Sequence, residues 1–332
     1  MLISLKQMLD HAAENNYAVP AFNINNMEQI MSVMSAASET NSPVILQISV
    51  NAIKYAGIGR LESMIFQIIC EYPQIPVCIH QDHGPTPEFC FRSIQLGHSS
   101  VMIDGSLKPD MKTPASLDYN IKVTKRTVGV AHACGVSVEG EIGCLGSLEQ
   151  SRNDRKILLT DPEEAKFFVS ETNIDALAIA IGTSHGAYKF KKPPSEDTLS
   201  INTVKKINKL LPNTHLVIHG ASEVSSHLIN IINKNGGNIP KTYGVPVKSI
   251  ESLIKLGVRK INIDTDLRLS YTAAIRSYLT INNSVFDMRK YNQEAIKYMV
   301  NICINRFNVF RSSGNASKIK PMTLRKMSYQ YN

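Results

Sequence analysis

The chain has 332 residues, a formal net charge of +8, 43% hydrophobic residues and 19% charged residues. This composition is typical of a globular protein, and no apolar run reaches the roughly 18–20 residues that a membrane span needs. The start, "MLISLKQMLDHAAENN", lacks the apolar core of a signal peptide, so we expect a cytoplasmic location and no membrane partner. Six scattered cysteines without a CxxC pair argue against a zinc ribbon or a disulfide framework.

The positive charge would attract nucleic acid, but it is spread along the chain, and no basic stripe alternates with aromatic residues. We therefore expect no nucleic-acid partner. Nucleic-acid binding remains the alternative from a different class of protein, and a steep loss of binding with rising salt would identify it.

Short apolar runs alternate with longer amphipathic stretches, which is typical of βαβ units around a parallel sheet. Eight runs are predicted as strands: "YAVPAFNI", "PVILQIS", "IPVCIHQDH", "SVMIDG", "VSVEGEIG", "ALAIAIGTSHG", "HLVIHGAS" and "VRKINIDT". Helices are predicted between them at 27–40, 59–72, 87–96, 118–134, 161–172, 198–210, 225–234 and 246–256, with further helices after Thr265.

Eight strand and helix alternations predict an α/β fold of the (β/α)8 TIM-barrel type with additional C-terminal helices. We expect a single domain over residues 1–332, with the barrel over about 1–285 and a helical extension and tail over about 286–332. An open dinucleotide-binding sheet is disfavoured because no GxGxxG follows the first strand.

The ends of the predicted strands carry polar residues, and a barrel gathers such ends on one face. These residues are Asp82, His83, Asp104, Glu139, Glu141, His185, His219, Asn262, Asp264 and Thr265. A single histidine at a strand end often has only a structural role. Three histidines from three strands, each followed by glycine, predict instead a Zn²⁺ site that leaves one position open for substrate.

Other residues at these ends suit a substrate with a phosphate. Asp82 would serve in acid/base work on a bound hydroxyl or would orient a neighbouring histidine. Asp104 and Glu141 would form a second metal position or hydrogen-bond the metal ligands. The turns 220–222 and 262–265 follow the last two strands, where barrels commonly hold phosphate at a helix start.

The chain resembles the class II, metal-dependent fructose-bisphosphate aldolases nearly from end to end. The segments that carry the resemblance are "YAVPAFNINNMEQ", "PVILQIS", "QDHG", "SSVMIDGS", "VEGEIGCLG", "AIGTSHGAYKF", "IHGAS", "YGVPV", "GVRKINIDTDLRL" and "GNASKIKP". Each is weak alone, but their order and completeness make the joint match specific. The resemblance implies reversible cleavage of fructose 1,6-bisphosphate, a step of glycolysis and gluconeogenesis, with zinc as the Lewis acid.

Residue roles follow from this resemblance. It implies that His83, His185 and His219 bind the zinc and that Asp82 exchanges the proton of the C4 hydroxyl. Asp104 and Glu141 match the positions that bind a second divalent metal ion, and Glu149 matches the group that protonates the product carbanion. Dihydroxyacetone phosphate is assigned to Gly186, Gly220, Ala221, Ser222, Asn262, Ile263, Asp264 and Thr265, and the glyceraldehyde 3-phosphate half to Ser49.

Asp264 and Arg268 resemble the fructose-bisphosphate branch rather than the tagatose-bisphosphate branch, which stays the alternative within the family. The resemblance also implies that Arg268 reaches the distal phosphate of a neighbouring subunit, so we expect a homodimer or homotetramer. The sequence leaves open whether a monovalent cation assists.

Two residues within the strands are expected to stay out of the site. His80 precedes His83 by three residues and is expected to point away, because alternate strand residues face opposite sides. A class I aldolase would need a lysine that enters the barrel from a strand end. Lys260 comes one position too early on the eighth strand, so this mechanism is disfavoured.

Overall fold

The computed structural model describes residues 1–143, 146–147, 159–186, 190, 192–195 and 199–331, without the side chains of residues 146, 147 and 185. The strands are β1 (Val19–Asn23), β2 (Val44–Ser49), β3 (Val77–Gly84), β4 (Ser100–Ile103), β5 (Ser137–Ile142), β6 (Gly146–Ser147), β7 (Ala176–Ile179), β8 (Ser184–His185), β9 (His215–Ile218) and β10 (Val258–Ile263). Eight of them close a barrel of parallel strands in the order β1, β2, β3, β4, β5, β7, β9, β10, with β10 returning to β1. The predicted TIM barrel and all eight predicted strand positions are confirmed.

Helices surround the barrel. They are α1 (Leu5–Glu14), α2 (Met27–Glu39), α3 (Val50–Ala56), α4 (Arg60–Glu71), α5 (Pro87–Gln95), α6 (Leu117–Ala133), α7 (Pro162–Thr172), α8 (Ile201–Leu210), α9 (Ser226–Lys234), α10 (Val247–Lys255), α11 (Thr265–Ile281), α12 (Met288–Val309) and α13 (Leu324–Tyr331), with a 3-10 turn at Ala316–Lys318. Local sequence fixes several starts. At α7, for example, Asp161 accepts hydrogen bonds from the backbone N–H groups of Glu163 and Glu164, and Pro162 occupies the first turn.

The inside of the barrel is apolar at its N-terminal end and polar at its C-terminal end. The apolar part combines strand residues such as Ile45, Met102 and Val217 with Leu5 and Leu9 of α1. Helix α1, which the sequence reading did not predict, packs against five barrel strands and closes this end. A larger apolar core fills the space between the strands and the outer helices. The polar residues above α1 are therefore held on a packed base.

One strand boundary was wrong. The sixth barrel strand was expected to run to His185, but β7 ends at Ile179. Gly182 follows with φ +100°, a conformation that takes the backbone out of the extended region. Ser184 and His185 instead form β8, which pairs with β6 in a separate two-stranded sheet.

The C-terminal part packs onto the barrel. Helix α12 lies against α2 and α11, and Phe307 packs edge-on against Phe22 of β1 at 5.6 Å between ring centroids. The tail beyond α12 is irregular apart from the 3-10 turn and α13, which ends the described chain. Where the structure describes the chain, no helix is both long and apolar enough to span a bilayer. The division into one domain with a barrel over about 1–285 stays a prediction.

Candidate active site at the carboxyl ends of the strands

A bulge near the end of β3 sets the direction of His83. The pairing of β3 with β4 shifts between Gln81 and Gly84, and His83 has φ +50°, in the left-handed region. Asp82 and His80 lie two residues apart on the regular part of the strand and are both buried. The expectation that His80 points away from the site was wrong, because its Nε2 lies 3.7 Å from Glu139 Oε2 inside the barrel. The extra residue of the bulge turns His83 toward the same site despite its odd spacing.

The rings of His83 and His219 meet at the strand ends. Their centroids lie 4.8 Å apart, and Nε2 of His83 faces Nδ1 of His219 at 3.1 Å. The remaining nitrogen of each ring lies beside a carboxylate. His83 Nδ1 donates to Asp104 Oδ2 at 3.0 Å, and His219 Nε2 donates to Glu139 Oε1 at 2.9 Å. In the neutral form of each ring, with its one proton on that nitrogen, the two facing nitrogens present lone pairs toward one point.

This donor set fits a divalent metal ion. Two imidazole nitrogens about 3.3 Å apart are what tetrahedral zinc requires at Zn–N distances of roughly 2.0–2.1 Å, and here they lie 3.1 Å apart. Asp82 joins the same group of ligand atoms, and His83, Asp104 and Glu141 form a second, overlapping group. Oε2 of Glu141 is buried, has no hydrogen-bond partner among the described residues, and lies 3.7 Å from Nδ1 of each histidine.

The electrostatics of the cluster also favour a cation. Burial raises the pKa of Glu141 well above its ordinary value, and the negative charge of Asp104 adds to that effect. Burial alone would lower the pKa of His83, but Asp82, Asp104 and Glu141 outweigh it and raise that pKa to about 10. Excess negative charge in a buried site is the environment that a metal ion neutralises.

Asp82 is positioned by a chain of amides. Asn23 Nδ2 donates to Asp82 Oδ2 at 2.9 Å, and Gln47 Nε2 donates to Asn23 Oδ1 at 2.6 Å. Burial acts to raise the pKa of Asp82. The nearby His83 and His219 rings act in the opposite direction and outweigh burial, so the pKa lies below its ordinary value. The other oxygen, Oδ1, finds no hydrogen-bond partner in the described part of the chain and lies 4.0 Å from His83 Nε2. Asp82 is thus an ionised carboxylate with one oxygen held and one oxygen open.

Sequence reasoning missed Asn23 and Gln47. Both are buried polar residues at the ends of apolar strands, and this pattern was the available signal. Ser49 lies beside Asp82 in the strand register, and its hydroxyl accepts from the N–H of Ala52 at the start of α3.

The turn after β9 lies beside the first turn of α11. Ser222 Oγ accepts from the backbone N–H of Asp264 at 3.4 Å, which joins the two segments. Gly220 has φ +62°, and a Cβ there would lie 2.4 Å from the carbonyl oxygen of Ser184. Thr265 begins α11, so the N–H groups of the helix start lie next to this turn. We call the turn 220–222 with the start of α11, where the sequence predicts phosphate binding, the phosphate cradle.

The other predicted residues of this region differ in setting. Asn262 is buried inside the barrel, and the side chain of Ile263 packs in the outer core, so only its backbone is available to a ligand. Arg268 is half exposed and donates to Asp264 Oδ1 of its own chain at 2.8 Å.

Lys260 faces the inside of the barrel, contrary to expectation. Its Nζ lies 3.0 Å from Glu139 Oε2 and donates to Asn262 Oδ1 at 2.8 Å. The register of β10 against β1 is regular from Lys260 to Ile263, so Lys260 and Asn262, two residues apart, face the same side of the strand. The amine is held in an ion pair, so the arrangement gives no support to Schiff-base chemistry.

Two predicted positions fall outside what the structure describes. Glu149 lies outside the described residues, and for His185 only the backbone is described, at β8. Gly186 follows it with φ +86°.

A closed parallel barrel with buried imidazole and carboxylate groups at the carboxyl ends of its strands defines a (β/α)8-barrel enzyme. The family model of class II fructose-bisphosphate aldolases matches residues 3–315. The chain is 58% identical to a fructose-bisphosphate aldolase of Stutzerimonas stutzeri and 58% identical to one of Pseudomonas aeruginosa, over 99% of this chain and 97% of each relative. The crystal structure of the YdjI aldolase of Escherichia coli K12 superposes with a TM-score of 0.74 and 26% identity, covering 95% of this chain and 100% of that chain.

The chain therefore belongs to the class II fructose-bisphosphate aldolase family and is a lyase. The resemblance found in the sequence is confirmed. Membership of this family implies a divalent metal ion, and the residue groups around His83 fit one.

Proposed function

We propose that the protein catalyses the zinc-dependent, reversible aldol cleavage of fructose 1,6-bisphosphate to dihydroxyacetone phosphate and glyceraldehyde 3-phosphate. The observation that carries this proposal is the ionised carboxylate of Asp82, whose open oxygen lies 4.0 Å from the imidazole of His83. A base beside a metal-binding imidazole pair is what cleavage of a hydroxyl-bearing carbon–carbon bond requires.

Asp82 takes the proton of the C4 hydroxyl during cleavage and returns it during condensation. Its low pKa keeps the carboxylate ionised at neutral pH, and Asn23 fixes Oδ2 so that Oδ1 receives the proton. Because the site is buried, this proton has few competing exchange partners in water. We assign protonation of the product carbanion to Glu149, on the resemblance alone.

His83 and His219 would hold the zinc ion, and we assign His185 as the third ligand on the resemblance. When bound, zinc supplies a Lewis acid that stabilises negative charge on the substrate ketone oxygen as the C3–C4 bond breaks. Asp104 and Glu139 fix the orientation of the two described rings. Glu141 and Asp104 would also hold a second divalent ion, and a monovalent cation remains an additional proposal.

The substrate phosphates bind at opposite ends of the site. Gly186, residues 220–222 and residues 262–265 bind the dihydroxyacetone phosphate half, with backbone N–H groups at the start of α11 supplying donors. Ser49, next to Asp82, contacts the other half. On the resemblance, Arg268, which is half exposed, reaches the substrate of a neighbouring subunit in a homodimer or homotetramer. The cytoplasmic location stays a prediction.

The test is cleavage of fructose 1,6-bisphosphate before and after removal of metal with EDTA, with zinc then added back and tagatose 1,6-bisphosphate run alongside. We expect activity to fall with the chelator, to return with zinc and to favour the fructose substrate. Full activity after rigorous metal removal would overturn the roles of His83 and His219. A preference for tagatose would reassign Asp264 and Arg268.

A further inference from the structure

A buried ionic cluster joins the C-terminal helix α12 to the turn that follows β9. Arg306 of α12 is 4% exposed, and its guanidinium contacts the carboxylates of Glu223 and Asp266. Asp266 is 1% exposed and lies in the first turn of α11. None of these three residues touches the imidazole pair or Asp82 in the described contacts, so metal binding and proton transfer do not account for the cluster.

Asp266 clamps the backbone directly after the cradle turn. Its Oδ2 accepts from the N–H of Glu223 at 3.0 Å, and its Oδ1 accepts from the N–H of Val224 at 2.9 Å. Val224 has φ +54°, which is costly for a β-branched side chain. Two hydrogen bonds to an ionised group are strong enough to hold a backbone that its own sequence does not favour.

The clamp also sets the spacing between the two halves of the phosphate cradle. Asp266 directly follows Thr265 at the start of α11, and its two backbone partners directly follow Ser222. A phosphate bound by N–H groups from both segments needs them at one fixed separation. The carboxylate of Asp266 supplies that fixed link.

Arg306 keeps this link intact. A buried carboxylate without a cation partner carries a large desolvation penalty, which weakens its hold on the two backbone N–H groups. Nε of Arg306 lies 3.5 Å from Asp266 Oδ2. Nη2 of the same guanidinium donates to Oε2 of Glu223, a residue of the turn that Asp266 holds. One side chain of α12 thus reaches both ends of the clamp.

We propose that Arg306 is a positioning residue for the phosphate cradle, through which the C-terminal helix α12 sets the affinity for the substrate phosphate. This inference rests on the proposed function of residues 220–222 and 265. It makes the C-terminal helices part of the substrate site, although they contribute no group to the chemistry.

The test compares the variants Arg306→Met and Arg306→Lys with the wild type. Ser222→Ala serves as the reference for direct loss of a cradle residue. Lys297→Met serves as the control, since Lys297 is an exposed residue of the same helix. KM, kcat and the inhibition constant for inorganic phosphate are measured on zinc-loaded enzyme, with zinc content and thermal midpoint determined in parallel. For Arg306→Met we expect KM and the phosphate inhibition constant to rise together by about tenfold or more, with a smaller change in kcat and unchanged zinc content. Arg306→Lys should keep much of the affinity, and Lys297→Met should match the wild type.

The outcomes separate the two proposals. A lower thermal midpoint for Arg306→Met with unchanged KM and phosphate inhibition would make the cluster purely structural and overturn the inference. Should that variant not fold, Glu223→Gln removes the half-exposed charge through which Arg306 contacts the same turn, and an unchanged KM and phosphate inhibition there would overturn the inference. If Ser222→Ala itself leaves KM unchanged, the cradle assignment fails and this inference fails with it. If Ser222→Ala raises KM and the Arg306 variants do not, only the inference fails.

Discussion

Glu139 and Lys260 form an ion pair inside the barrel, with Oε2 and Nζ 3.0 Å apart and both side chains fully buried. The other oxygen of Glu139 accepts from His219 Nε2, and Lys260 also donates to Asn262. Nε2 of His80 lies 3.7 Å from the same carboxylate. One buried pair therefore supports both a proposed metal ligand and a proposed substrate ligand.

Removal of Lys260 is expected to weaken metal binding through Glu139. In Lys260→Met the carboxylate of Glu139 is left buried without its cation, so its position beside His219 is no longer stabilised. We expect the free energy of unfolding to fall by about 3–5 kcal/mol, the range for breaking a buried pair. Loss of the support behind a metal-binding histidine should weaken zinc affinity by about 10–100-fold. Urea unfolding and competition with a chelator measure the two effects.

The control for this pair is a double-mutant cycle. Lys260→Met combined with Glu139→Gln should be less destabilised than the sum of the two single variants, because neither buried charge then remains alone. The exposed Lys255, on α10, gives a matched substitution that should leave both quantities unchanged. Simple additivity of the two single effects would show that the pair is not coupled.

The cradle turn is expected to depend on Gly220 for steric reasons as well as for its backbone conformation. Gly220→Ala and Gly314→Ala separate the two contributions, because both glycines have a left-handed backbone, with φ +62° and +77°. Only a Cβ at Gly220 would meet a neighbour, the carbonyl oxygen of Ser184 at 2.4 Å. We expect Gly314→Ala to cost about 1–2 kcal/mol for the left-handed conformation alone. Gly220→Ala should cost more and also raise KM for the bisphosphate. Equal losses of stability and an unchanged KM would contradict a tight turn at the substrate.

The sequence predicted the barrel because hydrophobic periodicity reports directly on buried parallel strands. It predicted the meeting of His83 and His219 because strand ends converge, which topology guarantees once the barrel is accepted. It was wrong for His80, because the spacing to His83 was read on a regular strand and the bulge between Gln81 and Gly84 breaks that regularity. It was also wrong for Lys260, which lies two residues before Asn262 on a regular part of β10 and so faces the same side. The role of α1 was also not predictable, since an amphipathic helix looks the same whether it covers the side of a barrel or closes its end.

Asn23 is expected to hold the acid/base carboxylate in its working orientation. Asn23→Ala removes the hydrogen bond to Asp82 Oδ2, a bond to a charged group worth about 1.5–3 kcal/mol. We expect kcat to fall by roughly tenfold or more, with zinc content unchanged, as measured by steady-state cleavage and metal analysis. Gln47→Ala acts one residue further away and should give a smaller loss in the same direction. A larger effect for Gln47→Ala than for Asn23→Ala would show that the amide chain does not act through Asp82.

Stability in acid is expected to depend on a buried pair, Glu62 and His98, that is not among the proposed site residues. Glu62 of α4 is 2% exposed and lies 3.3 Å from His98 Nε2. Burial acts to raise the pKa of Glu62, but the hydrogen bond from His98 and backbone N–H groups lower it below the ordinary 4.5. A lowered carboxyl pKa stabilises the folded state at pH values above the unfolded pKa, and the stabilisation is lost as pH falls through the folded pKa.

Glu62→Gln should therefore lower the free energy of unfolding by about 1–3 kcal/mol at pH 7, and its difference from the wild type should shrink below about pH 4.5. Urea unfolding from pH 7 to pH 3, with the exposed Glu71→Gln of the same helix as control, measures this difference. A difference that stays constant across this range would show that the charge of Glu62 does not contribute to stability.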